Sequence, residues 1–189
     1  GQYVSQFNEL DPIIPLWNSL YTVLGDNFMK LYERDFIRIQ WQFEPKIGWI
    51  IQPKLEWARR SPLFNLPQFV DERDYTPNNP VYPGVINDEV GFAAHNAFTF
   101  SLDLSYQFGQ NYRIIRGRRR DLHSNLPKVY AEYRKGIPMN AESTDFDFLN
   151  LGVGAETDWG RWGFSRADLS TGRFFSDERV EFIDFKHFN

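Results

Sequence analysis

From Phe36 onward, apolar and polar residues alternate with a period of two. Ile37, Ile39, Trp41 and Phe43 are interleaved with Arg38, Gln40, Gln42 and Glu44. Beyond Glu44-Pro45-Lys46-Ile47-Gly48, the residues Trp49, Ile51, Pro53, Leu55 and Trp57 are interleaved with Ile50, Gln52, Lys54, Glu56 and Ala58. Successive side chains of a strand point to opposite faces, so this spacing predicts a β-hairpin with one greasy and one polar face. Pro53 removes a ladder donor, and a bulge or local break is expected there. Phe98, Phe100, Leu102, Leu104, Tyr106 and Phe108, alternating with Thr99, Ser101, Asp103, Ser105 and Gln107, predict the clearest strand of the chain. The same logic places strands at 128–135, 148–157, 161–171, 180–188 and 3–7, about eight in all. Gly152, Gly154 and Gly163 fall inside these runs, where glycine marks a bend, a bulge or close contact with a bulky neighbour.

Only residues 10–34 read as helix. Asp11 can cap it, Pro12 suits the first helical position, and Ile13, Leu16, Trp17, Leu20, Tyr21 and Leu24 recur at three and four residues before Gly25. A second short turn is expected at 27–33. Residues 10–25 carry no Lys or Arg, so this helix is expected to pack on a sheet and not to lie in a membrane interface. The links between strands are a short turn at 44–48, a long loop at 60–93, a medium segment at 109–127, a loop at 136–146, a tight turn at 158–161 and a loop at 172–179. Short and long links fall at opposite ends.

Composition changes this picture in one respect. Of 189 residues, 17% are aromatic, with 6 Trp, 9 Tyr and 18 Phe, more than a helical bundle needs. No stretch approaches the roughly 18–20 continuous apolar residues of a membrane helix, which excludes a helical membrane protein and leaves a membrane barrel open. The net charge of −4 gives no electrostatic reason to expect nucleic acid as a partner. With no cysteine there is no disulfide, thiolate nucleophile or cysteine metal site. His95, His123 and His187 lack ligand spacing, so neither metal nor cofactor is expected. No nucleophile elbow surrounds any serine, and the protein is expected not to be an enzyme. The start at Gly1 shows no secretory leader, consistent with a mature form, a cytosolic chain or an excised piece.

A soluble barrel buries its apolar face, whereas a membrane barrel turns that face to lipid and lines its lumen with polar groups. Trp49 and Trp57 bracket one strand; at about 3.3 Å per residue and a tilt near 40° they are on the order of 20 Å apart in height, and Phe98 to Phe108 gives about 25 Å. These spans fit the apolar band of an outer-membrane barrel. The fold expected is therefore all-β, an antiparallel up-and-down transmembrane β-barrel that is part of a larger one, with one short helical segment near the N-terminus. Residues 1–189 form a single barrel domain or barrel fragment, with a helical insertion at 10–34. Trp41, Trp49, Trp57, Phe98 and Phe108 make a lipid-facing aromatic girdle on this reading. Arg38, Gln40, Gln42, Glu44, Lys54, Glu56, Asp103, Glu132 and Arg134 line the lumen. Leu102 faces lipid near mid-span, and Ser101 faces the lumen, where an arginine is expected to cost little. The alternative is a soluble all-β barrel or sandwich that binds a hydrophobic ligand.

Several runs occur in an order that carries a resemblance. They are Gly1-Gln2-Tyr3-Val4-Ser5-Gln6-Phe7-Asn8, Asn27-Phe28-Met29-Lys30-Leu31-Tyr32-Glu33, Arg59-Arg60-Ser61-Pro62-Leu63-Phe64-Asn65, Pro127-Lys128-Val129-Tyr130-Ala131-Glu132-Tyr133-Arg134-Lys135-Gly136-Ile137 and Phe182-Ile183-Asp184-Phe185-Lys186-His187-Phe188-Asn189. Together they resemble an outer-membrane family of Bacteroidetes in which a carboxypeptidase-regulatory-like domain precedes a surface-antigen-type β-barrel. The resemblance covers most of the chain but only the middle, barrel part of that architecture. It implies a location in the bacterial outer membrane and a barrel akin to protein-insertion and two-partner-secretion pores, with a non-catalytic role in transport, outer-membrane assembly or a membrane complex. It supplies no catalytic residues. The partners expected are membrane lipid or lipopolysaccharide and other outer-membrane proteins.

The densest charge cluster is Arg113, Arg116, Arg118, Arg119 and Arg120, close to Tyr112 and Gly117. It reads as a site for an anion or a partner, lipid phosphate or an acidic protein at the inner rim, or else as a solvated basic turn. Its arginines can also pair with lumen carboxylates such as Asp103. The long loop carries Asp71-Glu72-Arg73-Asp74 and Asp88-Glu89 together with Leu63, Phe64, Leu66, Phe69, Tyr75, Val81 and Tyr82. It is expected to fold over the barrel mouth or against a partner, with its placement outside and residues 109–127 inside.

Overall fold

A computed structural model describes residues 3–6, 31–63, 93–140 and 143–185. They form nine strands: β1 (Tyr3–Gln6), β2 (Leu31–Gln40), β3 (Trp49–Pro62), β4 (His95–Gln107), β5 (Asn111–Ile115), β6 (Arg118–Leu122), β7 (Lys128–Gly136), β8 (Asp145–Asp158) and β9 (Phe164–Arg179). Seven make one sheet in the order β1-β2-β3-β4-β7-β8-β9, and β5 with β6 makes a separate two-stranded ribbon. Every pairing is antiparallel. The sheet is thus an up-and-down meander, with the β5–β6 hairpin inserted between β4 and β7. Among the described residues β1 and β9 do not pair with each other, so the seven-stranded sheet does not close on itself; the all-β antiparallel meander expected from the sequence is present. The edge left by β9 is 16 residues long.

The alternation at 36–58 produces β2 and β3, whose register joins Phe36 to Ala58, Arg38 to Glu56 and Gln40 to Lys54. Pro53 acts where the sequence predicts, on one side only. Its carbonyl accepts from the Trp41 N–H (3.1 Å), but it has no N–H to return, and the regular ladder with β2 lapses to an isolated bridge between Phe43 and Ile51. Its register with β4 runs through uninterrupted, Pro53 opposite Leu102. The short turn closes at Gly48, which adopts φ +84 and whose N–H donates to Glu44 Oε1 (2.9 Å).

Other expectations need correction. Most of the helix expected at 10–34 lies outside the described residues, but its end does not. Leu31–Arg34 is held between β1 and β3 as strand. The long loop starts later than residue 60, since Arg60, Ser61 and Pro62 pair in β3; residues 64–92 lie outside the described residues. The medium segment at 109–127 contains the β5–β6 hairpin. Residues 172–179 belong to β9, where register shifts near Asp145 and Asp147 let two strands of unequal length stay paired. The strand expected at 180–188 is a 3-10 turn at Phe182–Asp184; Lys186 onward lies outside the described residues. The tight turn after β8 holds a 3-10 turn at Gly160–Trp162, and Gly163, with φ +99, closes it instead of bending a strand.

The two faces of the sheet differ sharply. Register places Arg34, Glu56, Ala58, Arg60, His95, Ala97, Ser101, Phe146, Phe148 and Asn150 on one face, and all are buried. The opposite face carries Ile37, Ile39, Trp41, Leu55, Trp57 and Leu151, all exposed, Ile39 and Trp41 by 70%. Aromatic rings on the buried face lie against glycine. A Cβ on Gly152 would fall 2.2 Å from the Tyr130 ring, and one on Gly136 would fall 2.7 Å from Phe146. These are directly opposed pairs, Tyr130 to Gly152 and Gly136 to Phe146, so the glycine supplies the space its partner's ring fills.

Candidate functional site

Two charged constellations emerge from this frame. The first is on the buried face. Alternation sends Arg34, Arg38 and Glu56 to the same side of β2 and β3, where the Glu56 carboxylate accepts from Arg34 and from Arg38 Nε (2.7 Å). Both guanidinium groups also sit over the Phe36 ring, at 4.8 and 5.0 Å from its centre. Further along β3, Arg60 Nη1 donates to Asp184 Oδ1 (2.9 Å), with both side chains buried. Arg134 on β7 donates to the Asp184 carbonyl (3.2 Å) and lies over Phe148 (4.7 Å). The 3-10 turn after β9 is thereby tied to the buried face, and Phe185 stacks edge-on against Phe174 at 5.5 Å. Sequence reasoning missed this contact because Asp184 stands 124 residues from Arg60 and inside a run whose spacing looks like strand.

The second constellation is the β5–β6 hairpin. Ile115 and Arg118 are joined by the two-residue turn Arg116-Gly117, both with positive φ (53° and 73°), the geometry that matches the twist of a hairpin. Register divides the five arginines. Tyr112, Ile114, Arg119 and Asp121 share one face; Arg113, Ile115, Arg118 and Arg120 share the other, with Arg113 directly opposite Arg120. Arg119 is fully engaged. It donates through Nε to Asp121 (2.8 Å) and through Nη2 to Glu44 Oε1 (2.7 Å), and it stacks on Tyr112 at 4.9 Å. Its hydrogen bond holds the Glu44 carboxyl below the usual carboxylate range, with the Gly48 N–H assisting, and Glu44 in turn raises the Arg119 guanidinium. The hairpin thus leans across the end of β3 to the β2–β3 turn.

None of the arginines reaches Asp103, which instead faces Glu132 across the β4–β7 ladder, so the pairing expected between the cluster and the lumen carboxylates is replaced by Arg119 with Glu44 and Asp121. Between the hairpin and the sheet is a cleft of about 580 Å³, with Asp121 and His123 on the hairpin side and Lys128, Glu156, Arg166 and Asp168 on the sheet side. Among the described residues, no group of three His, Cys, Asp or Glu side chains converges as a metal site would require, and no helix is long and apolar enough to cross a membrane.

The five aromatic residues singled out from the sequence all fall on the open face and divide into two bands. Trp41 packs against Phe43 at 5.7 Å, Trp49 against Tyr106 at 4.9 Å, and Tyr106 against Phe108 at 4.8 Å, near the end that carries the β2–β3 turn. Trp57 and Phe98 are direct cross-strand partners toward the other end. Ser101 is only 3% exposed, so an arginine there would need space the sheet does not have, contrary to the tolerance expected of it.

Over residues 1–189 the chain matches a family described as the C-terminal domain of a family of unknown function, DUF5686. No curated protein and no solved structure matches the chain.

Proposed function

We propose that this chain, which belongs to the DUF5686 C-terminal domain family, is the barrel part of a non-catalytic outer-membrane protein of Bacteroidetes that acts in transport, in outer-membrane assembly or within a membrane complex. The observation that carries the reading is the inversion of the two faces. Large apolar side chains stand open on one side, while paired charges are buried on the other. A soluble sheet would gain by burying the first set and hydrating the second. Lipid reverses that preference. The two aromatic bands, eight residues apart along β3 from Trp49 to Trp57, support it, since at about 3.3 Å per residue and a tilt near 40° they stand on the order of 20 Å apart.

On this reading the open sheet is an arc of a larger surface-antigen-type barrel preceded by a carboxypeptidase-regulatory-like domain. The long β9 edge is completed by further strands, since an unpaired edge in lipid leaves backbone groups unsatisfied. The ends of the meander also fit. The β2–β3 turn, the β5–β6 hairpin and the β8–β9 turn lie at one end, taken as periplasmic; the chain leaves β3 and β7, and enters β4 and β8, at the other. Membrane lipid or lipopolysaccharide covers the open face.

Vesicle flotation tests this. Refolded from denaturant in the presence of lipid vesicles, the chain is expected to float with them and to resist carbonate extraction. A monodisperse chain in plain buffer that stays with the aqueous fraction would defeat the proposal and favour the soluble module.

A further inference from the structure

We infer that the outward face of the β5–β6 hairpin, built from Arg113, Arg118 and Arg120 around Ile115, is a docking site for an acidic polypeptide segment. Three observations carry it. First, all the side chains of this hairpin are exposed, and among the described residues Arg113, Arg118 and Arg120 have no acidic partner, whereas Arg119, one position away, has two. Second, Arg113 and Arg120 are directly opposed in the ladder, and like charges in that position destabilise a ribbon that is already marginal on its own. A carboxylate-bearing ligand would convert this repulsion into charge-assisted, bidentate hydrogen bonds.

The third observation is orientation. The face with Arg119 and Asp121 is turned to the rest of the molecule, since Arg119 reaches Glu44 in the β2–β3 turn. Alternation therefore turns the three unpaired arginines away from the sheet, past its end and into solvent. The hairpin is held in that attitude by the Arg119–Glu44 contact. Ile115, exposed by 49% on the arginine face beside Arg113 and Arg118, adds an apolar foothold that a polypeptide can match. A site aimed beyond the end of the strands addresses an aqueous compartment, and this favours a protein segment over a lipid headgroup. The inference rests on the hairpin alone and holds whichever solvent covers the open face.

The test uses the full chain in micelles of an uncharged detergent and a short fluorescent peptide rich in Glu with Leu at every third position. Fluorescence anisotropy is expected to show saturable binding that weakens with salt. The triple variant R113Q/R118Q/R120Q is expected to weaken it on the order of tenfold or more. The corresponding triple Lys variant keeps the charge but loses the bidentate fork and is expected to fall between the two. R161Q, which removes a positive charge in the β8–β9 turn and leaves the hairpin untouched, is expected to bind within about twofold of the parent. Unchanged far-UV circular dichroism in each variant confirms that the sheet is intact. Peptide binding that the triple Gln variant leaves unchanged would overturn the inference. So would a parent chain that ignores the peptide but binds phosphatidylglycerol vesicles through the same three arginines, since that outcome assigns the site to lipid.

Discussion

The two faces of β3 carry opposite lessons about what holds this sheet. On one face Glu56, Ala58 and Arg60 are buried, and the charges are met by Arg34, Arg38 and Asp184. On the other, one residue away each time, Leu55 and Trp57 are exposed by 41% and 39%. The buried face tolerates its charges only while they are paired, because each charge there is expensive to leave unmatched. The open face contributes only if something apolar covers it. The same backbone therefore depends on pairing on one side and on its surroundings on the other.

The largest effect is expected from removing the shared carboxylate. Glu56→Ala leaves Arg34 and Arg38 facing one another on the buried face, and denaturant unfolding from micelles should register a loss of about 3–5 kcal/mol, the usual result of breaking a buried pair. Leu55→Ala, next along the chain, should cost far less. Equal losses would erase the distinction between the faces. Next comes Leu102→Arg, at mid-span on the open face, expected to cost about 2–4 kcal/mol in a bilayer. Ser105→Arg, on the opposite side, is the appropriate control; Ser105 is only half-buried and lines a cavity with Asp103, Lys128 and Glu132, and less than about 1 kcal/mol is expected, as for surface changes.

A smaller effect sharpens the packing of the buried face. Gly152→Ala drives a Cβ into the Tyr130 ring and should cost about 1–3 kcal/mol, as overpacking does. Tyr130→Ala in the same chain should recover part of that loss, and two additive losses would show that the ring and the glycine are not partners. The smallest effect is a pH dependence at the hairpin. The Glu44 carboxyl is held below its ordinary value of 4.5 when folded, first by the hydrogen bond from Arg119. Its contribution is complete above about pH 4.5 and is lost as the pH falls through the lower, folded value. A fluorophore on a cysteine introduced at Ile114, exposed and directly opposite Arg119, should report the hairpin loosening in that acidic window, and the step should vanish in R119Q.

Much of this was legible in the chain. The β2–β3 hairpin, the core of β4 and β7, the role of Pro53 and the tight fit at Gly152 follow from period-two alternation and residue shape. Such local signals act over a few residues. Three features were not legible for physical reasons. Leu31–Arg34 is strand because β1 and β3 clasp it, a tertiary choice that overrides local helical spacing. The 3-10 turn at Phe182–Asp184 takes its place from the Arg60 contact, made at a separation of 124 residues. The division of the five arginines depends on where the hairpin turns, and Arg116-Gly117 identifies that point only once Arg116 is allowed a positive φ. Among the candidate sites, the arginine cluster was recognised as a group, but its separation into one engaged and three open side chains needed the register.

The central claim is that lipid covers the open face, and labelling along β4 tests it most directly. The chain has no cysteine, so single cysteines can be placed at Phe100 and in turn from Leu102 to Ser105 and tagged with an environment-sensitive fluorophore after reconstitution. Alternation is expected: probes at Phe100, Leu102 and Leu104 quenched by brominated acyl chains, and probes at Asp103 and Ser105 untouched by them. Quenching of the first three by aqueous iodide, with no response to brominated lipid at any of the five positions, would contradict it.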